Sequence, residues 1–191
     1  MCIGKGMIVT RVHGEPLFRM DSNDHAPIVE KFNLRDTKLV DRDWVRIELL
    51  PCGDLFSTKE ADWEYRVDEE GTLPAWYEET AEAWIDRCLR TLFTKIIPAW
   101  KKDGVGGDLY LRDTQIKSLP DNLKVGGWLY LWDTQIKSLP DNLKVGGWLY
   151  LRDTQIKSLP KNLKVGGWLD LQGTQIKEDE VPRHLKAKCL F

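Results

Sequence analysis

The chain has 191 residues, 42% of them hydrophobic and 30% charged, with a formal net charge of −2. That length suits one ordinary domain, or a small domain followed by a repeat array, and that balance excludes a disordered chain. No apolar run approaches the length of a bilayer span, and the N-terminal stretch "MCIGKGMIVTRVHG" is too poor in apolar residues for a signal-peptide core, so no membrane association and a cytoplasmic location are expected.

The charge is unevenly distributed. Residues 1–100 carry 13 Lys+Arg and 19 Asp+Glu (net −6), whereas residues 101–191 carry 15 and 11 (net +4). The split predicts two parts with different surfaces, and neither is basic enough to demand nucleic acid.

In chain order, the first hundred residues contain no repeat. The segments "GMIVTRVHG", "PLFRMD", "DWVRIELLP" and "DWEYRVDEEG" have the composition of strands. "DHAPIVEKFNL" reads as a short helix entered through Ser22, Asn23 or Asp24. A longer helix is predicted over residues 74–97, because Tyr77, Ala81, Trp84, Cys88, Leu92 and Ile96 recur at helical spacing. The order ββαββα defines an α+β head over residues 1–104. Its last helix, ending near Trp100, Lys101 and Lys102, is expected to cap the C-terminal part of the chain.

From Gly106 onward the chain repeats with a period of 20 residues, in units starting at Gly106, Gly126, Gly146 and Gly166. Within a unit, "WLYLW" alternates with period 2, the mark of a half-buried strand. Leu129 and Leu131 face one side, and Trp128, Tyr130 and Trp132 the other. Ile136, Leu139, Leu143 and Val145 add apolar positions to the same interior, while Pro140 prevents a regular helix. A single unit cannot bury its leucines, but stacked units share a continuous core. The prediction is a β-solenoid of about four units over residues 105–177, closed by a C-terminal cap over residues 178–191.

The pattern L-x-L-x-x-T-x-I-x-x-L-P-x-x-L-x-V resembles the short, proline-containing leucine-rich repeats of bacterial effector-type proteins. It departs from them at Thr114, Thr134, Thr154 and Thr174, where asparagine is usual; a threonine hydroxyl can still bond loop backbone. The resemblance implies a curved array whose strands line a concave, ligand-binding face. The head segments "DSNDHAPIVEKFNLRDTKLVDRDWVRIELLP" and "GTLPAWYEE" resemble head regions of uncharacterised proteins from gut bacteria and their phages, a resemblance that implies a bacterial or phage-encoded origin and carries no catalytic residues across.

The outward columns of the solenoid are the candidate functional residues. They are Asp108, Trp128, Trp148 and Trp168; Tyr110, Tyr130, Tyr150 and Asp170; and Arg112, Trp132, Arg152 and Gln172. Trp, Tyr and Arg are enriched at binding hot spots, so Tyr110, Arg112, Trp128, Tyr130, Trp132, Trp148, Tyr150, Arg152 and Trp168 form a candidate partner-binding strip. Identical residues in register could instead stack for stability. The Lys117, Lys137, Lys157 and Lys177 column runs beside Asp113, Asp133 and Asp153, which reads as a self-neutralising solvated face.

No catalytic, metal or cofactor signature is present. His13, His25 and His184 are isolated, and "GKG" at residues 4–6 lacks the spacing of a phosphate loop. Cys2, Cys52, Cys88 and Cys189 are scattered and read as reduced structural thiols. Asp41, Asp43, Asp68, Glu69 and Glu70 read as turn or solvated residues. Leu185, Ala187, Cys189, Leu190 and Phe191 suggest a last irregular strand, which either caps the solenoid or offers an edge for a homodimer.

The expected function is therefore a non-enzymatic module that binds another protein through the aromatic face. Two alternatives remain open. One is a phage or mobile-element inhibitor of a host defence enzyme, of anti-CRISPR type, acting by surface occlusion. The other is nucleic-acid or carbohydrate binding through the Trp/Tyr/Arg strip.

Overall fold

The computed structural model describes residues 5–191, so Cys2 lies outside the described residues. Strands β1 (Lys5–Thr10), β2 (Trp44–Pro51) and β3 (Trp63–Val67) form an antiparallel sheet in that order. Alternation divides its two faces. Met7, Val9, Val45, Ile47 and Leu49 enter the main core, while Ile8 and Trp44 face Ile28 of helix α1 (Ala26–Lys31) together with Leu17. With both faces covered, every residue of β1 is buried.

Residues 16–21 do not form the expected strand. Leu17 exchanges two hydrogen bonds with Ile8, at 2.8 and 2.9 Å, and the chain then leaves the sheet. Pro16 has no N–H to extend the ladder. The segment instead runs on to meet the solenoid. Nor is α1 capped by a side chain: its N-cap is His25, preceded by a local bond from the His25 N–H to the Asp24 carboxylate at 2.7 Å.

The single helix expected over residues 74–97 is broken. It comprises α2 (Ala75–Glu78), α3 (Ala81–Thr91), a π turn (Leu92–Ile96) and α4 (Ile97–Asp103). Thr80 sits at φ −120° and donates its hydroxyl to the Trp76 carbonyl at 2.7 Å, which separates α2 from α3. Pro98 has no N–H for the helical ladder, and the wider turn just before it accommodates that gap. Gly104, at φ 88°, ends α4 in a conformation that suits glycine.

The C-terminal part is a β-solenoid of about four turns. Its larger sheet is parallel, ordered β11-β10-β8-β6-β4, from β4 (Leu109–Tyr110), β6 (Leu129–Tyr130), β8 (Leu149–Tyr150), β10 (Leu169–Asp170) and β11 (Cys189–Leu190). A second parallel sheet contains β5 (Lys124–Val125), β7 (Lys144–Val145) and β9 (Lys164–Val165), extended by a bridge from Val105 to Val125. Partners lie twenty residues apart in each: Leu129 opposite Leu149, Lys144 opposite Lys164. The five-residue strand expected from "WLYLW" is thus a two-residue strand, and the Lys-Val strand was not anticipated.

The repeat's leucines, isoleucines and valines are buried in every coil, in one cluster continuous with Trp100 of α4 and the inner face of the head sheet. Each threonine of the repeat donates its hydroxyl to the leucine carbonyl three residues earlier, at 2.6–2.7 Å. That bond gives the threonine column its structural role.

The head closes the first coil with more than its last helix. Asn23 Nδ2 donates to the Asp108 carbonyl at 2.6 Å, and the backbone of Asp21 lies against Gly107 so closely that a side chain there would collide with it. On another side Asp54 bridges Ser118. The buried Lys5 ammonium fixes this junction by donating to the carbonyls of Arg19 and Ser22 and to the Asn23 side chain. At the other end, β11 extends the larger sheet, while His184 and Lys188 side chains bond the carbonyls of Leu163, Val165 and Gly166 on the smaller one.

Candidate functional site

The larger sheet carries the aromatic columns. Because its strands are in register, chemically identical rings fall on neighbouring coils. Tyr110, Tyr130 and Tyr150 stack with ring centroids 4.4 and 4.5 Å apart and interplanar angles of 17° and 5°. Trp128 stacks on Trp148 at 5.5 Å, and each indole also meets the tyrosine of its own coil, at 6.1 and 5.8 Å. The ring of Trp128 lies over Gly147 and that of Trp148 over Gly167, where any side chain would collide with it. Two residues of the repeat, the second glycine and the tryptophan, are therefore matched across coils.

Exposure separates the columns. The tyrosines are half-buried, and burial, together with neighbouring phenols or carboxylates, raises the pKa of all three. Trp128 and Trp168 remain 40% and 44% exposed, among the most exposed large hydrophobic residues of the described chain. Trp132 is half-buried beneath the Arg112 guanidinium, which lies 5.3 Å from its ring, and neither Trp132 Nε1 nor Arg112 Nε has a hydrogen-bond partner among the described residues. Arg152 is exposed and lies 3.8 Å from Asp170.

The departures from the repeat have local explanations. Asp108 replaces tryptophan at the coil that meets the head, and its carboxylate accepts the Trp128 N–H at 2.7 Å and the Tyr110 hydroxyl at 3.2 Å. Asp170 replaces tyrosine and accepts the Gln172 N–H at 3.0 Å besides facing Arg152. All nine candidate residues thus belong to one sheet face and its margin. Tyr110, Tyr130, Tyr150, Trp128 and Trp148 share a stack, whereas Trp132 and Arg112 pair at the margin.

Other expectations are revised. Asp113, Asp133 and Asp153 are exposed, as is the Lys117, Lys137, Lys157 and Lys177 column, but the aspartates also hold left-handed corners, with φ of 57°, 55° and 55°, and Asp113 faces Arg112 at 3.9 Å. Glu69 is not solvated. Its side chain is 3% exposed and bridges Arg42 at 3.1 Å and Arg46 at 2.8 Å, while Arg42 also stacks on Trp44 at 4.2 Å. Sequence reasoning missed this cluster because its members lie on separate segments with no fixed spacing. It also passed over Lys124, Lys144 and Lys164, although their recurrence every 20 residues was visible.

No family model, no curated protein and no solved structure matches the chain. Among the described residues, no group of three or more His, Cys, Asp or Glu is placed to hold a metal ion, and no helix is long and apolar enough to cross a membrane.

Proposed function

We propose that the chain is a non-enzymatic binding module that engages another protein through the aromatic face of its five-stranded sheet. The observation that carries this reading is indole surface left in solvent by Trp128 and Trp168. The tyrosine ladder accounts for itself as cross-strand support, since its rings are stacked and half-buried. Trp128 also stacks on Trp148, yet both Trp128 and Trp168 keep indole surface in solvent, and Arg112 and Arg152 add charge to the same aromatic patch. The repeat pattern supports a leucine-rich type of solenoid, in which the strand-bearing face receives the ligand, acting inside a bacterial cytoplasm.

The test compares the wild-type chain with a Trp128→Ala/Trp168→Ala double variant as bait in a bacterial lysate. The protein retained by the wild type is identified and its affinity measured for both baits. Loss of about 30-fold or more, corresponding to ~2 kcal/mol at a hot spot, is expected while cooperative unfolding is kept. Equal affinity in the folded double variant would reject the aromatic face as the site.

A further inference from the structure

The smaller sheet presents a second surface with different chemistry. Lys124, Lys144 and Lys164 lie directly opposite one another on β5, β7 and β9, and all three are exposed. Neighbouring strands are about 4.8 Å apart, so the row places three ammonium groups along roughly 10 Å. Like charges directly opposite one another destabilise a sheet, and this arrangement returns nothing to the core. Among the described residues, none of these three ammonium groups has a carboxylate within 4 Å, and the aspartates nearest in sequence, Asp121 and Asp141, form no ion pair.

The lysine row is a ridge between two furrows. One, of about 690 Å³, follows the glycine corner and is lined by the valines of four coils and the glycines that follow them. The other, of about 800 Å³, is lined by Asn122, Asn142 and Asn162 with Lys161 and His184, and has no carboxylate among the described residues of its wall. Asn142 Nδ2 donates to Asn122 Oδ1 at 3.2 Å, so the amides form a row parallel to the lysines. Among the described residues, the only carboxylate bordering either furrow is Asp103, where α4 ends.

We propose that this ridge binds a single strand of nucleic acid by its phosphates. A straight row of evenly spaced cations is complementary to a chain bearing one negative charge per repeat. Lysine acts on phosphate as a flexible point charge and needs no fixed angle. The furrow beside the ridge offers a shallow floor of exposed glycine corners, with the valines buried beneath it, to bases that a single strand leaves unpaired and a duplex keeps stacked inside. An acidic peptide satisfies the lysines but has no use for that floor. Asparagine amides on the other side can donate to phosphate or sugar oxygens. The contact is sequence-independent, because phosphates position a strand and base edges specify it.

Fluorescence anisotropy of a labelled 20-nucleotide oligothymidylate, titrated with the full chain from 20 to 200 mM salt, tests the proposal. Three phosphate contacts predict a slope of about −2 in log K against log salt. The Lys124→Gln/Lys144→Gln/Lys164→Gln variant should bind at least tenfold more weakly at 20 mM salt and lose most of the slope. Its melting temperature should equal or exceed that of the wild type, because the row of like charges is gone. Lys144→Gln alone should reduce the slope by about 0.7. The Trp128→Ala/Trp168→Ala variant should bind the oligonucleotide like the wild type, which separates this ridge from the aromatic face. No binding by wild type at 20 mM salt, wild-type binding by the folded triple variant, or loss of binding in the tryptophan variant would each overturn the proposal. So would tighter binding of the matching duplex, or equal displacement by polyglutamate.

Discussion

The corner after each aromatic strand shows how one residue serves the whole coil. Asp113, Asp133 and Asp153 adopt positive φ there, and Gly173 takes the same place in the fourth coil at φ 70°. Aspartate tolerates this region because a short polar side chain can bond locally, and glycine tolerates it because it has no Cβ. Asp133→Gly should therefore change stability by less than about 0.5 kcal/mol, whereas Asp133→Val, with a branched Cβ, should cost about 1–2 kcal/mol in urea unfolding. The buried carboxylate of Glu69 supports a pH prediction. Burial alone would raise its pKa, but hydrogen bonds from Arg46 and the charges of Arg46 and Arg42 outweigh it and hold the value below the usual 4.5. A carboxylate more acidic in the folded state contributes stability that is complete above its unfolded pKa and is lost as pH falls through the folded one. The wild-type urea midpoint should thus begin to drop below about pH 4.5. Glu69→Gln cannot titrate, so it should show a shallower drop over the same window, starting from lower stability at pH 7, where Arg42 would keep only Asp36 as a carboxylate partner. Equal acid dependence in both proteins would remove Glu69 as a source of it.

At the scale of the element, close spacing between coils decides what is allowed. Gly126, Gly146 and Gly166 stack so tightly that a Cβ on any of them would press into the carbonyl oxygen of the glycine one coil earlier. Gly146→Ala has backbone, not a flexible side chain, in its way, so the coils must separate, at a cost of about 1–3 kcal/mol. Gly14→Ala is the control: no atom lies within 4 Å of its Cβ position, and stability should be unchanged. Thermal denaturation of both variants checks the pair. The repeat was legible in the sequence because leucine alternation and the constant 20-residue step both report burial directly. The second sheet was not, since each Lys-Val pair is too short to show the alternation of a strand, even though the pair recurs every 20 residues. Nor was the break in the long helix: Trp84, Cys88, Leu92 and Ile96 keep a helical stripe across the π turn, so the pattern of buried positions conceals it. Proline carried information that the composition of the strand segments hid, at Pro16 where a strand was expected and at Pro98 where the helix widens.

Across the whole molecule, head and solenoid share one core, and the head supplies the first coil with what a preceding coil would otherwise provide. Two parts of opposite charge were visible in the sequence, as was a cap at Trp100. The tie through Lys5, Asn23 and Asp108 was not, because it joins residues 85 positions apart through side chain and backbone. The aromatic face was legible as a set of columns. Its division into a half-buried tyrosine ladder and exposed indoles was not, since alternation places all of them on one side without saying how deeply they stack. A shared core predicts shared unfolding. Deleting residues 126–145 joins Val125 to Gly146, which recreates the native Val-Gly-Gly-Trp-Leu-Tyr-Leu sequence, so the shortened chain retains every local instruction. Asp108 should then accept the N–H of Trp148 in place of that of Trp128. In a solenoid each coil contributes its own stability plus the interfaces with its neighbours, so losing one coil removes one coil's worth of both. The deletion variant should fold, unfold in one transition, and show a urea m-value lower by about a tenth, in line with 20 of 191 residues removed. Its midpoint should fall as well, because interior coils bury leucines on both sides. Two separated transitions in either protein would mean that the head and the coils unfold independently, and that the contacts at Asn23 and Asp54 do not couple them.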